Sequence, residues 1–311
     1  MKIVFLGTPS FAVPSLNALI ASRHEVLAVV CQPDKKVGRE QKVVFSPVKE
    51  LALKKGIKVL QYEKIRRDGV EELRSLGADL MVSCAYGQIL SQEIIDIAPH
   101  GIINVHGSLL PKYRGAAPIQ QAVIDGETET GITIMQTDVG IDSGDILSVV
   151  KTPIYEKETA GELFDRLSLL GADLLLETID KIENGTIKPV KQDENKATHV
   201  SMIKKQDGLI DWNNTATQIF NKVRGMNPWP VAFTYINGKL LKFFDCEVFG
   251  CNFEDNAVCG EIVKCDYNFG IIVKCGKGYL KLNRLQEEGG KQLSANDFVS
   301  GRKLSVGSIL Q

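Results

Sequence analysis

Met1-Lys2-Ile3-Val4-Phe5-Leu6-Gly7-Thr8-Pro9 opens the chain. Four consecutive apolar residues, Ile3 to Leu6, closed off by Gly7 and Pro9, describe a strand buried on both faces. A helix is expected next, over about Ser10 to Ser22, with Phe11, Leu16, Leu19 and Ile20 turned inward. Val26 to Cys31 repeats the strand pattern. Val59-Leu60, Leu80 to Cys84 and Ile102 to Val105 continue it, with helical stretches near Val48 to Lys55 and Val70 to Leu76. Strands alternating with helices predict an α/β fold with a doubly wound, mainly parallel, Rossmann-like sheet. Ligands of such sheets bind beyond the carboxyl ends of strands, and Asn104 stands where one strand should end.

The chain of 311 residues exceeds what one core usually holds, so two domains are expected. Ile132 to Thr137 and Ile146 to Thr152 read as two further strands, with a glycine-rich loop around Asp142 between them. Thr159 to Ile182 is a long helix. Thr159 and Glu162 form a capping box at its start, and Gly185 stops it. The next stretch carries Lys188, Lys191, Lys196, Lys204 and Lys205 with few large apolar groups, and reads as a linker. Beyond it come one helix, about Thr215 to Arg224, and then short strand-like runs with regular turns. Asn237-Gly238 is a hairpin signal among them. That pattern predicts a small β-barrel. The division is therefore 1–188, a basic linker over 189–206, and 207–311.

Hydrophobic residues make up 44% and charged residues 24%, ordinary for a globular protein. The formal net charge of −1 excludes a global basic field, so any nucleic-acid binding must rest on local patches. The seven cysteines are odd in number, with no CxxC pair and no zinc-ligand spacing, and read as reduced thiols. The opening apolar run is too short for a signal peptide, and no stretch approaches a membrane span. A cytoplasmic location is expected.

Chemistry concentrates in two motifs: Asn104-Val-His106-Gly-Ser108-Leu109-Leu110-Pro111 and Asp138-Val-Gly-Ile-Asp142-Ser-Gly-Asp145. Asn104 and His106 are two apart, so on an extended segment both face one side while Val105 enters the core. The glycine-rich loop can bring Asp142 over that face. An amide that binds an oxyanion, with an imidazole and a carboxylate that manage protons, suits acyl transfer to an amine. The plainer reading is a pair of turns satisfying their own backbones. His24 reads as a solvated loop residue and His100 as a turn residue, and Gly7-Thr8-Pro9 as a tight turn without the GxGxxG of a dinucleotide site. Pro33 to Lys42 is a long polar, cationic loop.

The run Asn-Val-His-Gly-Ser-Leu-Leu-Pro-Lys-Tyr-Arg-Gly-Ala-Ala-Pro-Ile from Asn104, with Asp-Val-Gly-Ile-Asp-Ser-Gly-Asp from Asp138, closely resembles the folate-dependent formyltransferases. The Phe-Leu-Gly-Thr-Pro opening, the Gln32-Pro33-Asp34…Gly38-Arg39 loop with Ser46-Pro47-Val48-Lys49, and Asn227-Pro228-Trp229-Pro230 extend the match along the whole chain. The loop and second domain resemble the members that act on tRNA. Glu40 and Gln41 depart from a more basic stretch in relatives.

The resemblance implies 10-formyltetrahydrofolate as donor, the α-amine of methionine on initiator tRNA as acceptor, and no metal. It implies a catalytic first domain with Asn104, His106 and Asp142 as the catalytic set. Ser108, Leu109, Leu110 and Pro111 would be the folate-contacting segment, and the second domain an OB-like barrel that binds tRNA. Lys35, Arg39, Lys42, Lys204 and Lys205 are then the expected tRNA contacts. Three alternatives stay open: a formyltransferase for a small amine, an RNA-binding module without catalysis, and a formyl hydrolase.

Overall fold

The apolar run at Ile3 to Leu6 is fully buried, as a strand covered on both faces requires. The computed structural model describes residues 1–37, 42–250, 253, 256–301 and 304–311. The chain divides into two units. The first comprises Met1–Pro118, Glu129–Pro153 and Phe164–Val200; the second comprises Ile119–Thr128, Ile154–Leu163 and Ser201–Gln311.

The first eleven strands are β1 (Lys2–Gly7), β2 (Glu25–Cys31), β3 (Lys35–Val37), β4 (Lys42–Val44), β5 (Lys58–Gln61), β6 (Leu80–Cys84), β7 (Ile102–His106), β8 (Arg114–Gly115), β9 (Glu129–Gln136), β10 (Ile146–Pro153) and β11 (His199–Val200). The helices through this part are α1 (Ala12–Ala21), α2 (Pro47–Lys54), α3 (Ile65–Asp68), α4 (Val70–Ser75), α5 (Gln92–Ile95), α6 (Pro118–Ile124) and α7 (Ala160–Glu183). The main sheet has the order β10-β9-β7-β6-β1-β2-β5. Its β1, β2, β5, β6 and β7 are parallel, β9 runs antiparallel to β7, and the edge strand β10 runs antiparallel to β9. This is the expected α/β sheet. The chain leaves β1 in one direction along the sheet and returns to β6 on its other side, which makes a switch point of the kind where such folds bind ligands.

The Thr159–Glu162 capping box forms: the Glu162 N–H donates to Thr159 Oγ1 at 3.3 Å and the Thr159 N–H to Glu162 Oε2 at 2.9 Å. On α7, Leu167, Leu175 and Ile179 are wholly buried, one to two turns apart along a single face. Gly185, at φ 65°, follows the helix end.

Three expectations change. The cationic loop is partly a two-stranded ribbon, with Lys35 opposite Val44 and Val37 opposite Lys42. Residues 189–206 are not a free tether. Val190 exchanges two hydrogen bonds with Ile146 at 2.8 Å, and β11 pairs with β8. His24, expected in solvent, is buried: its Nδ1 accepts from the Met1 amine at 3.2 Å, and burial lowers the imidazole from its ordinary value. Asp180 and Glu183 lie near it, and Arg23 Nη2 pairs with both carboxylates at 2.7 and 2.5 Å.

The second unit carries α8 (Ala216–Gly225), β12 (Ala232–Ile236), β13 (Lys239–Phe249), β14 (Ile262–Asp266), β15 (Gly270–Lys274), β16 (Tyr279–Glu287), β17 (Gln292–Ser294) and α9 (Ala295–Ser300). Its antiparallel sheet has the order β12-β13-β16-β15-β14, with β17 beside β16. Asn237 and Gly238 adopt φ 51° and 73°, both left-handed, as a two-residue hairpin turn requires. Residues 308–311 bridge the two ends of the sheet. Tyr235 and Gln311 exchange hydrogen bonds at 2.8 Å, while Ile262 donates to the Ser308 carbonyl at 2.9 Å. The sheet is thereby closed into the expected barrel, around Leu241, Phe243, Ile271, Leu280 and Leu282. Cys31, Cys84, Cys246 and Cys275 are buried free thiols, and burial pushes Cys84 and Cys275 up to about 12.

Helix α7 meets the end of β7 at Gly171. A Cβ there would lie 3.0 Å from Val105 Cγ1 and 3.7 Å from Ile132 Cδ1. Val105 separates Asn104 from His106, so this close approach sets the height of the strand end. Gly171→Leu is expected to destabilise the chain by about 1–3 kcal/mol through overpacking, seen as a lower urea midpoint with unchanged m-value.

Candidate active site

Strand β7 carries both side chains that the alternation rule puts on one face. Val105 is buried in the core behind them, and His106 is itself only 5% exposed. The loop between β9 and β10 folds back over this face. It is stiffened by Asp138, whose Oδ1 accepts from the Gly140 N–H at 3.1 Å and from Ser143 Oγ at 2.8 Å.

Asp142 arrives between the other two groups. Its Oδ1 accepts from Asn104 Nδ2 at 3.4 Å, and its Oδ2 lies 3.6 Å from His106 Nδ1. Oδ2 also accepts the Gly115 N–H at 2.8 Å. On the far side of the ring, His106 Nε2 is 2.9 Å from the Tyr113 carbonyl. A carbonyl only accepts, so Nε2 carries a hydrogen, and Nδ1 is the ring atom that faces Asp142. The Asn104 amide is oriented by the same logic, its NH₂ toward the carboxylate.

Asn104, His106 and Asp142 therefore converge, although 38 residues separate Asn104 from Asp142. Ser108 to Pro111 is built into the wall below them. Ser108 is fully buried, and its hydroxyl donates to the Lys112 carbonyl at 2.7 Å. Thr133 Oγ1 donates to the Ser108 carbonyl at 2.7 Å and accepts from the Leu110 N–H at 3.2 Å. Within this segment Leu109 and Pro111 are partly exposed, while Ser108 and Leu110 are buried. Three large apolar side chains stand in solvent on nearby stretches of chain: Ile89 after β6, and Val139 and Ile141 in the Asp142 loop.

Among the basic residues, Lys35 and Lys42 are exposed at the ends of the β3–β4 ribbon, and Arg39 lies outside the described residues. Lys204 and Lys205 are exposed at the start of the second unit's final segment, where the Lys204 N–H donates to Asp207 Oδ2 at 2.6 Å.

The formyl transferase family model matches residues 1–179, and the formyl transferase C-terminal domain model matches residues 202–303. A methionyl-tRNA formyltransferase of Lachnospira eligens is 49% identical over 314 residues, covering 100% of this chain and 99% of the relative. Another, of Ruminiclostridium cellulolyticum, is 48% identical over 312 residues with 100% and 99% covered. The chain belongs to the methionyl-tRNA formyltransferase family.

Solved formyltransferases share the fold. An N-formyltransferase from Helicobacter canadensis, in complex with folinic acid and dTDP-3-aminofucose, superposes with a TM-score of 0.68 at 22% identity, covering 93% of this chain and 100% of that one. A glycinamide ribonucleotide transformylase from Symbiobacterium toebii superposes at 0.52 and 21% identity, covering 61% of this chain and 94% of that one. In this formyltransferase family member, the residues missed from sequence are Tyr113, Arg114, Gly115 and Gln192. The first three adjoin or begin the Arg-Gly-Ala-Ala-Pro run, which drew attention only as part of a motif. Gln192 has no local signal at all.

Gly115 has φ 108°, and a Cβ there would run into the Val200 carbonyl oxygen. Gly115→Ala is expected to shift the N–H that holds Asp142. Formyl-transfer turnover should fall about a hundredfold if the carboxylate moves by an ångström or so, measured under conditions where circular dichroism shows the variant still folded.

Proposed function

We propose that this chain transfers the formyl group of 10-formyltetrahydrofolate to the α-amino group of methionyl initiator tRNA in the cytoplasm, giving N-formylmethionyl-tRNA for translation initiation. The observation that carries the reading is Asp142 lying between Asn104 and His106, at 3.4 and 3.6 Å. Full-length similarity to relatives named for this reaction supports the choice of acceptor.

A planar, partly apolar donor fits the surroundings. Val139 and Ile141, at 65% and 67% exposed, flank the loop that delivers Asp142, and a pterin laid on them would remove apolar surface from water. Leu109 and Pro111 add to that wall, in keeping with a folate-contacting role for the Ser108–Pro111 segment. The bound folate supplies an activated formyl group.

Asn104 donates a second amide N–H to the formyl oxygen as negative charge grows there, its first being directed at Asp142. A lost donor of this type costs about 3–4 kcal/mol of barrier. The attacking amine must shed a proton, and the departing nitrogen must gain one. Asp142 and the Nδ1 edge of His106 are the groups placed to take and return it. They face each other at 3.6 Å. The Tyr113 carbonyl keeps the ring from flipping. Lys35, Arg39 and Lys42, with Lys204 and Lys205, contact phosphates of the tRNA, an interaction that weakens with salt.

The test is formyl transfer from 10-formyltetrahydrofolate to charged Met-tRNA, with uncharged tRNA, free methionine and an amino-sugar nucleotide as controls. Only the charged tRNA is expected to accept the label. Preferential formylation of the sugar amine would overturn the assignment of acceptor. Asn104→Asp puts a second carboxylate beside Asp142 in place of a donor. Its kcat is expected to drop about a hundred- to a thousandfold, with the Kd for Met-tRNA unchanged by filter binding. Near-native turnover would remove Asn104 from the mechanism.

A further inference from the structure

Gln192 lies 50 residues along the chain from Asp142, in the stretch whose composition reads as linker. Its amide nitrogen donates into the Asp142 loop twice, to the Asp142 carbonyl at 2.8 Å and to the Gly144 carbonyl at 2.7 Å. Its amide oxygen accepts from Arg114 Nε at 3.0 Å and Nη2 at 2.8 Å. The reversed amide would set NH₂ against guanidinium donors, so the network itself assigns oxygen and nitrogen. Arg114 is 3% exposed and grips Glu194 with two bonds, Nη1 to Oε2 at 2.9 Å and Nη2 to Oε1 at 2.7 Å. The guanidinium hydrogen bonds hold the Glu194 carboxyl below its ordinary value.

The backbone on either side of Arg114 reaches the same site. Tyr113 gives its carbonyl to His106 Nε2, and Gly115 gives its N–H to Asp142 Oδ2. Asp142 is therefore held at both ends by one short segment. Its carboxylate is held through Gly115, and its carbonyl through Arg114 and Gln192. The residue needs that grip. Its φ of 51° lies in the left-handed region, which a side chain with a Cβ keeps only where its surroundings fix it. The segment itself is clamped from the Gln192 side, since the Tyr113 N–H donates to Thr198 Oγ1 and the Arg114 N–H to the Thr198 carbonyl, both at 2.8 Å.

We infer that Gln192 is a positioning residue for the Asp142 carboxylate, with Arg114 as its anchor. It never touches the reacting atoms. It fixes where the carboxylate stands relative to His106 Nδ1, and so rests on the reading of these two as the proton-handling pair.

Two variants test it. Gln192→Met removes donors and acceptor without adding charge. Gln192→Glu keeps an acceptor for Arg114 but cannot donate to the loop carbonyls. In both, kcat for Met-tRNA formylation is expected to fall about ten- to a hundredfold, while KM for Met-tRNA and for the folate donor stay within about twofold. The ring NMR titration curve of His106 is expected to move in both variants. Native kcat in Gln192→Glu would show that pairing Arg114 is all that matters, and would overturn the inference. So would His106 titrations that superimpose on wild type while only thermal stability falls. A wild-type chain that leaves Met-tRNA unformylated tells against the proposed function, and the His106 titration still decides the role of Gln192.

Discussion

The Gly115 N–H on Asp142 Oδ2 is the contact on which the site's geometry turns. It is a charge-assisted hydrogen bond from a backbone that cannot rotate away, to a carboxylate that enters from a different loop. Without it, the Asp142 carboxylate would meet Asn104 and His106 only through side chains with freedom to move. With it, the carboxylate has a fixed height above Asn104 and His106, and the three groups present one polar surface at the end of a strand whose other face is core. Rigidity in the sheet is thus carried to the side chains by backbone donors and acceptors, the Tyr113 carbonyl serving His106 in the same way.

Under the proposed function, that arrangement assigns the roles of individual atoms. His106 spends Nε2 on a carbonyl, so its chemistry is confined to Nδ1. Asp142 accepts a backbone N–H and an amide N–H and still faces Nδ1. On that reading, a proton arriving from an amine enters a short path with two stations. Under the proposed function, the amide of Asn104 handles charge on oxygen while this pair handles the proton, and neither task needs a covalent intermediate on the protein.

Much of the fold was legible because its signals are local. Ile3 to Leu6, the Thr159–Glu162 cap and Asn237-Gly238 each act within a few residues, and each stands where its pattern predicts. The convergence of Asn104 with His106 follows from strand alternation, and the return of Asp142 from the glycines around it. The β3–β4 ribbon was not legible, since Lys35 to Val37 and Lys42 to Val44 look like solvated loop until they pair with each other. Nor was the docking of residues 190–200. A lysine-rich stretch with few large apolar groups reads as tether by composition. It is held instead by hydrogen bonds, between Val190 and Ile146 and from Arg114 to Gln192 and Glu194, which leave no hydrophobic trace. His24 was misread for the same reason, its burial being set by the Met1 amine and α7 rather than by its immediate neighbours.

Fold alone does not choose the acceptor. A protein solved with dTDP-3-aminofucose superposes on 93% of this chain at 22% identity, so the same architecture is compatible with a sugar amine. Whatever distinguishes a tRNA must then lie outside the alternation that brings Asn104, His106 and Asp142 together. The features available for it are surface features: exposed Lys35 and Lys42 on a ribbon, exposed Lys204 and Lys205 at a turn, and a closed barrel. Their charges are local, because the chain as a whole carries a formal −1 and offers no long-range attraction to a polyanion. Recognition built from a few separated cations is weak at each contact and demands that several be engaged at once. Under the proposed function, a small amine engages none of them. In the proposed reaction that requirement is what separates an aminoacylated RNA from the many free amines that the Asn104 site would otherwise accept.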